Sequence, residues 1–292
     1  MNCLNFFNAV RSAKTGWRCT FTRLFGVLLA LLLSSTSALA GTYSIGVAPQ
    51  FESRRMFVIW QPIIGELEKR TGNQFKLVVP LTVTDFEREL EKGTYDFVYA
   101  NPYHIVRLSQ KQAYLPLVRD RLPLRGILVV CKDSPLRNLK ELDGKSLAVP
   151  SPNAIGASLL IRADLEHFHG VRMKMVNVKT HSSVYLNVLN GLTEAGGGVE
   201  KTLAEQDKPV QDALRVVYTT REMPSHPVAA HSRVDQTARE QVRRALLESA
   251  ATPAGKALFD EVPMKQPAPT NIEDYLVMRK WGLETYWVGE GK

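Results

Sequence analysis

No acidic residue occurs before Glu52. In that acid-free stretch Arg11, Lys14, Arg18 and Arg23 precede an apolar run from Leu24 to Leu33. The run is short for a bilayer span, which needs about 20 residues. Ser34 to Ser37 then leads into Ala38-Leu39-Ala40, an A-x-A site of the kind signal peptidases accept. Residues 1–40 are therefore expected to be a cleaved signal peptide, with an uncleaved anchor as the alternative. Cysteine does not follow Ala40, so lipid attachment is not expected there, and a start codon further in is an alternative to so long a basic region. Cysteine is scarce throughout: Cys3 and Cys19 leave with the leader and only Cys131 remains. A single thiol cannot close an internal disulfide. At the end of the apolar run Ile127 to Val130 it reads as a small buried hydrophobe, against the alternative of a reactive or metal-binding thiol.

Catalytic signatures are missing as well. There is no G-x-S-x-G, no C-x-x-C and no H-E-x-x-H. Gly196-Gly197-Gly198-Val199-Glu200-Lys201-Thr202 lacks the spacing of a phosphate-binding loop and reads as a glycine turn before a helix. Nothing marks a nucleophile with a base and an orienting acid, so no catalysis, cofactor or resident metal is expected. Large net charge is also absent. Without the four basic residues of the leader, 33 basic residues face 29 acidic ones, a net +4. That excludes a nucleic-acid footprint and slightly favours small anions.

What is present is alternation. Tyr43 to Val47 reads as a strand; Phe57, Trp60, Ile64 and Leu67 recur at helical spacing up to Gly72. Phe75 to Val79 is the next strand. Thr84-Asp85-Phe86-Glu87 reads as a capping box for a helix ending at Gly93, before the strand Phe97 to Tyr99. Pro116 demotes the run Leu115 to Val118 to an edge or connector. A second set starts at Ser146 to Val149. It continues with a helix over about 154–168, a strand Met175 to Val178, a helix Ser183 to Asn190 and a strand Val216 to Tyr218. From Asp235 the chain reads as helical, and Tyr275, Trp281, Tyr286 and Trp287 are expected to pack the last segments onto the body. The order predicts an α/β fold with mainly parallel sheets.

Three loops follow predicted strands and open helices: Tyr99-Ala100-Asn101-Pro102-Tyr103-His104, Ser151 to Ser158, and Lys179-Thr180-His181-Ser182-Ser183. Each can turn unpaired backbone N–H groups toward an anion, although for any one loop an ordinary N-cap already explains the residue types. His104, His181 and His226 lie in loops or just after strands; their spacing matches no short metal motif. His167 and His169 fall at a helix end and are expected in solvent.

These motifs, in this order, resemble the phosphonate/phosphite/phosphate-type periplasmic binding proteins (PhnD-like). The resemblance rests on Ile45-Gly46-Val47, Trp60-Gln61-Pro62-Ile63-Ile64, Asp96 to Asn101, and Lys132-Asp133-Ser134-Pro135-Leu136 with Leu139 and Leu142-Asp143-Gly144. Ser151-Pro152-Asn153, His181 and Pro224-Ser225-His226-Pro227 complete it. It implies a two-lobed, type II-like periplasmic-binding-protein fold, each lobe a mainly parallel sheet flanked by helices, with the ligand cleft between the lobes. Lobe 1 is expected over 41–127 plus 228–292, and lobe 2 over 128–227. It also implies capture of a small oxyanion in the periplasm of a Gram-negative bacterium and delivery to an ABC permease of the inner membrane. The alternative is an oxyanion-sensing module partnering a histidine kinase.

The ligand residues expected from the loops and the resemblance together are Tyr99, Asn101, Tyr103, His104, Asn153, Ala154, Ile155, Ser158, His181, Ser182, Ser183 and His226. The family's tyrosine and histidine fall on Tyr99 and His181. Its Ser-Thr-Ser run falls on Ala154, Ile155 and Gly156, which lack hydroxyls, and its acidic, ammonium-pairing position falls on His226.

Overall fold

The computed structural model describes residues 40–262 and 264–289, so the expected leader with Cys3 and Cys19 lies outside the described residues except for Ala40. The chain begins with β1 (Thr42–Val47), α1 (Ser53–Thr71), β2 (Gln74–Val78), α2 (Val83–Glu91), β3 (Phe97–Tyr99), α3 (Pro102–Leu108) and β4 (Tyr114–Asp120). It crosses into β5 (Gly126–Cys131), β6 (Ser146–Val149), a π-helical turn (Ile155–Leu159), α4 (Leu160–His169), β7 (Lys174–Asn177), α5 (His181–Leu189) and β8 (Ala195–Val199). Then come the short α6 (Glu200–Ala204) and α7 (Lys208–Asp212), and β9 (Leu214–Thr219). It crosses back into β10 (Pro227–His231), α8 (Gln236–Ala250), α9 (Pro253–Glu261), β11 (Pro267–Pro269), α10 (Glu273–Leu276) and two 3-10 turns ending at Tyr286.

Two sheets result, ordered β11-β4-β10-β3-β1-β2 and β7-β6-β8-β5-β9. Both are mixed rather than mainly parallel. The βαβ units supply the parallel pairs β1–β2, β1–β3, β6–β7 and β6–β8. The strands that carry the chain to and from the crossings, β4 with β10 and β5 with β9, pair antiparallel. The crossings are tied to each other: Leu124 and Met223 exchange backbone hydrogen bonds of 2.8 and 3.0 Å, and Gly126 N–H donates to Thr220 Oγ1 at 2.9 Å.

Side-chain alternation places each sheet between two helical layers. Phe97 and Tyr99 pack with Trp60, Ile64 and Val242 on one face, and Val98 packs with Phe86, Leu90 and Ile105 on the other. Leu128 and Val130 likewise pack with Ile161 and Leu165, while Ile127 and Val129 pack with Val184, Tyr185 and Val188. Cys131 is partly buried beside this last cluster. A further core joins the two sheets. Tyr103 and Val106 of α3, Ile155, Leu159 and Leu160 of the second sheet's layer, and Tyr275, Met278 and Leu283 of the C-terminal segment form one cluster, flanked by Trp281, Tyr286 and Trp287.

Several local features depart from the sequence expectations. Phe57 is 44% exposed; the buried face of α1 is Met56, Ile59, Trp60, Ile63, Ile64 and Leu67. The cap of α2 is Thr82, whose hydroxyl accepts from Asp85 N–H, so Glu87 is not spent on capping. The run around Pro116 is the full strand β4, lying between β10 and β11, with a register shift in its pairing with β10 next to Pro116. Gly196, Gly197 and Gly198 are not a turn but the buried interior of β8.

Candidate functional site

A cavity of about 60 Å³ lies where the carboxyl ends of β1, β3, β6 and β8 meet between the two sheets. This is the position at which open α/β sheets hold ligands. Its volume suits an ion of a few heavy atoms and falls well short of the ~300–1,000 Å³ of drug-sized sites. Its polar lining is Gln50, Asn101, His104, Ser151, His181 and His226; Ala154, Ile155, Gly156 and Ala157 supply backbone from the π-helical turn. No side chain caps that turn. The first N–H groups of a helix have no intrahelical acceptor, so the turn offers donors to an occupant of the cavity. No carboxylate, lysine or arginine lines the cavity among the described residues.

The three histidines reach the cavity from three elements. His104 sits on α3, is 3% exposed, and places Nε2 2.8 Å from Glu87 Oε1, while its Nδ1 is buried without a hydrogen-bond partner. His181 opens α5, with Nδ1 3.3 Å from Thr202 Oγ1. His226 ends the second crossing, stacks on Tyr99 and places Nε2 3.1 Å from the amide nitrogen of Gln50. Burial pushes His181 down to about 4. Burial, with the neighbouring His104, Lys201 and His181, pushes His226 down to about 3. Both rings are therefore neutral at neutral pH. Since the unfolded chain titrates near 6.5, protons favour unfolding below that value. The unliganded protein is expected to be at full stability above pH ~6.5 and to lose stability as pH falls toward the depressed values, measured as Tm against pH.

The remaining expected site residues are placed differently. Tyr99 is wholly buried behind His226 and its hydroxyl does not line the cavity. Asn101 caps α3, its Oδ1 accepting from Tyr103 N–H, and its Nδ2 donates across the cleft to the Asn153 carbonyl at 2.9 Å. Asn153 is used in turn as a clasp: Nδ2 donates to Glu87 Oε2 and to Val288 O, and Oδ1 accepts from Val288 N–H, all at 2.9 Å. Tyr103 points to Glu284, Ser158 Oγ lies 3.7 Å from Met175 sulfur, and Ser183 N–H and hydroxyl both bond to Thr180, the cap of α5. Ser182 does not line the cavity. Thus Asn101, His104, Ala154, Ile155, His181 and His226 converge, and Tyr99, Tyr103, Asn153, Ser158, Ser182 and Ser183 do not. Sequence reasoning missed Gln50, although it follows β1 as the other loops follow their strands, and Glu87, hidden by the capping-box reading.

A larger groove of about 880 Å³ runs along the C-terminal segment on the far side of Asn153. Its Arg107 is already paired with Glu91 and Glu284 and lies over the Trp287 ring. Three carboxylates, Glu87, Glu91 and Glu284, line the groove, and the smaller cavity is the better candidate for an anion.

The sequence model of one family, described as ABC transporter, phosphonate, periplasmic substrate-binding protein, matches residues 45–275. The fold is similar to a binding protein component of an ABC phosphonate transporter from Pseudomonas aeruginosa (TM-score 0.73, 13% identity, covering 83% of this chain and 85% of that one). It is also similar to PhnD1 from Prochlorococcus marinus in complex with methylphosphonate (TM-score 0.74, 14% identity, 85% and 99% covered). Among curated proteins, the tetrathionate sensor histidine kinase TtrS of Salmonella typhimurium is 26% identical over 147 residues, 47% of this chain. The matched region spans a quarter of that kinase's length.

Proposed function

The chain belongs to the periplasmic substrate-binding proteins of phosphonate ABC transporters, and we propose that it captures a small oxyanion, phosphonate, phosphite or phosphate, and hands it to an ABC permease. Export through a cleaved leader is part of the same reading. The observation that carries the ligand class is the composition of the cavity: an uncapped helical turn and three histidines converge on a space that no carboxylate lines among the described residues. A carboxylate-free lining disfavours an ammonium-bearing ligand and leaves an anion without a like charge to repel it. The absence of a nucleophile-base pair in the sequence supports binding without turnover.

Thermal unfolding with phosphate, phosphite, methylphosphonate and sulfate tests this. A ligand at 100 times its dissociation constant is expected to add about 2.7 kcal/mol of stability. That corresponds to a rise in Tm of roughly 5–11 °C for a domain of this size. No shift with any anion, together with a clear shift on adding a divalent metal ion, overturns the reading; so does turnover of a phosphoester or phosphonate by the purified protein. Permease and ATPase genes beside its own are expected; a histidine kinase gene there instead makes the chain a sensory module.

A further inference from the structure

We propose that the liganded cavity holds one proton between His104 Nδ1 and an oxygen of the oxyanion, so that capture of a dianion is coupled to uptake of one proton from solvent, and that Glu87 is the positioning residue that enforces this. The inference rests on the oxyanion reading above and deepens it.

Glu87 projects from α2 with both carboxylate oxygens engaged. Oε1 is 2.8 Å from His104 Nε2, and Oε2 accepts from Asn153 Nδ2 at 2.9 Å. The clasp to Asn153 keeps the carboxylate from turning away. An ionised carboxylate only accepts hydrogen bonds, so Nε2 must carry a proton and the neutral ring has a bare Nδ1. That Nδ1 is buried and has no partner among the described residues, on a side chain that lines the cavity. A bare nitrogen brought against a dianion at this wall would oppose two acceptors. One added proton resolves the clash wherever it resides: on the ligand, as a hydroxyl donating to Nδ1, or on the ring, as an imidazolium donating to the ligand and held by Glu87. The two arrangements have the same composition.

The groups around His104 leave Glu87 as its direct ionic partner. The Phe86 ring on α2 and the Trp287 ring of the C-terminal segment pack against it, with centroids 5.9 and 5.6 Å away. His181 and His226 line the same cavity. On the Glu87 side, Arg107 and Glu91 neutralise each other at 3.0 Å. Lys201, which faces His226, is held by the buried Asp120.

The substitution Glu87→Gln reverses the polarity while keeping both contacts. Its amide oxygen can accept from Asn153, and its NH₂ donates to His104 Nε2. The neutral ring then carries its proton on Nδ1 and meets a dianion as a donor, with no proton taken up. Titration calorimetry with methylphosphonate and with inorganic phosphate, above the second ionisation of each and in buffers of different ionisation enthalpy, reads this directly. The wild-type protein is expected to take up one proton per ligand, its affinity falling about tenfold per pH unit. Glu87→Gln is expected to take up none and to show a flat profile. Asn153→Ala removes the clasp but not the dyad; it is expected to bind more weakly with uptake still near one. Equal uptake in wild type and Glu87→Gln, or none in wild type, overturns the inference and leaves the oxyanion reading standing. Failure of both anions to bind the wild-type protein overturns that reading, and this inference with it.

Discussion

Gly197→Ala is expected to remove ligand binding and to destabilise the protein by about 3 kcal/mol or more, the upper end of overpacking costs. A Cβ at Gly197 would lie 1.9 Å from the Ala157 carbonyl oxygen, and one at Gly126 would lie 2.0 Å from that of Gly156. These are backbone atoms of the π-helical turn and cannot step aside by a change of rotamer. The two glycines let the turn lie directly on β5 and β8, which is what brings Ala154 to Ala157 into the cavity. A methyl at position 197 would push the turn off the sheet, taking its N–H groups out of reach of an anion. Gly196→Ala is the internal comparison. Its Cβ would meet the methyl groups of Val184 and Val188 at 2.7 and 2.8 Å, and these side chains can shift. A loss nearer 1 kcal/mol with binding retained is expected there. Urea unfolding of both variants, with anion binding measured alongside, checks the pair. A Gly197→Ala protein as stable as Gly196→Ala and still able to bind would show that the turn does not need this contact.

The same glycines show where the sequence is hard to read. A run of three glycines carries no alternation and no branched side chain, so local propensity assigns a turn. Only the nearby backbone of residues 155–159, distant in sequence, explains why a central strand lacks side chains there. Pro116 misleads in the same way, since the register shift next to it lies in the pairing with β10. The helices were more legible because their signals are local: α1 shows its buried stripe up to the left-handed Gly72, and α8 buries Val242, Ala245, Leu246 and Ser249 as their spacing requires. The antiparallel pairs come from chain crossings, which no window of sequence records.

For the candidate site, the sequence singled out the strand-to-helix loops and His104, His181 and His226, and the structure places parts of those loops and all three histidines on the small cavity. Which polar groups face the cavity was not readable. Asn101 and Asn153 have the side chains of a ligand grip, yet they hold each other and the C-terminal segment across the cleft. Asn153 finds that partner in Val288, more than a hundred residues away. Glu87 has the sequence context of a capping residue, and only its position opposite His104 gives it a role.

His226→Asp is expected to weaken oxyanion binding by about a thousandfold at pH 8. The position is in contact with Gln50 and Tyr99 and lines a cavity without carboxylates. A carboxylate about 4 Å from a bound anion would repel it by roughly 4 kcal/mol at an effective dielectric of 20, which is about three decades in affinity. The new carboxyl would be desolvated in the cleft, which disfavours its charged form and raises its pKa above the usual range near 4. Affinity in the variant should therefore recover as pH falls through that raised value, because protonation removes the repulsion. This dependence has a different origin from the proton taken up at His104, and adding Glu87→Gln to His226→Asp should leave it in place. The Gln50 amide can donate to the carboxylate as it approaches the ring now, so the fold is expected to hold, as checked by an unaltered far-ultraviolet spectrum. Methylphosphonate affinity unchanged at pH 8 in a folded His226→Asp protein would place the ligand away from His226 and limit the site to His104, His181 and the uncapped turn.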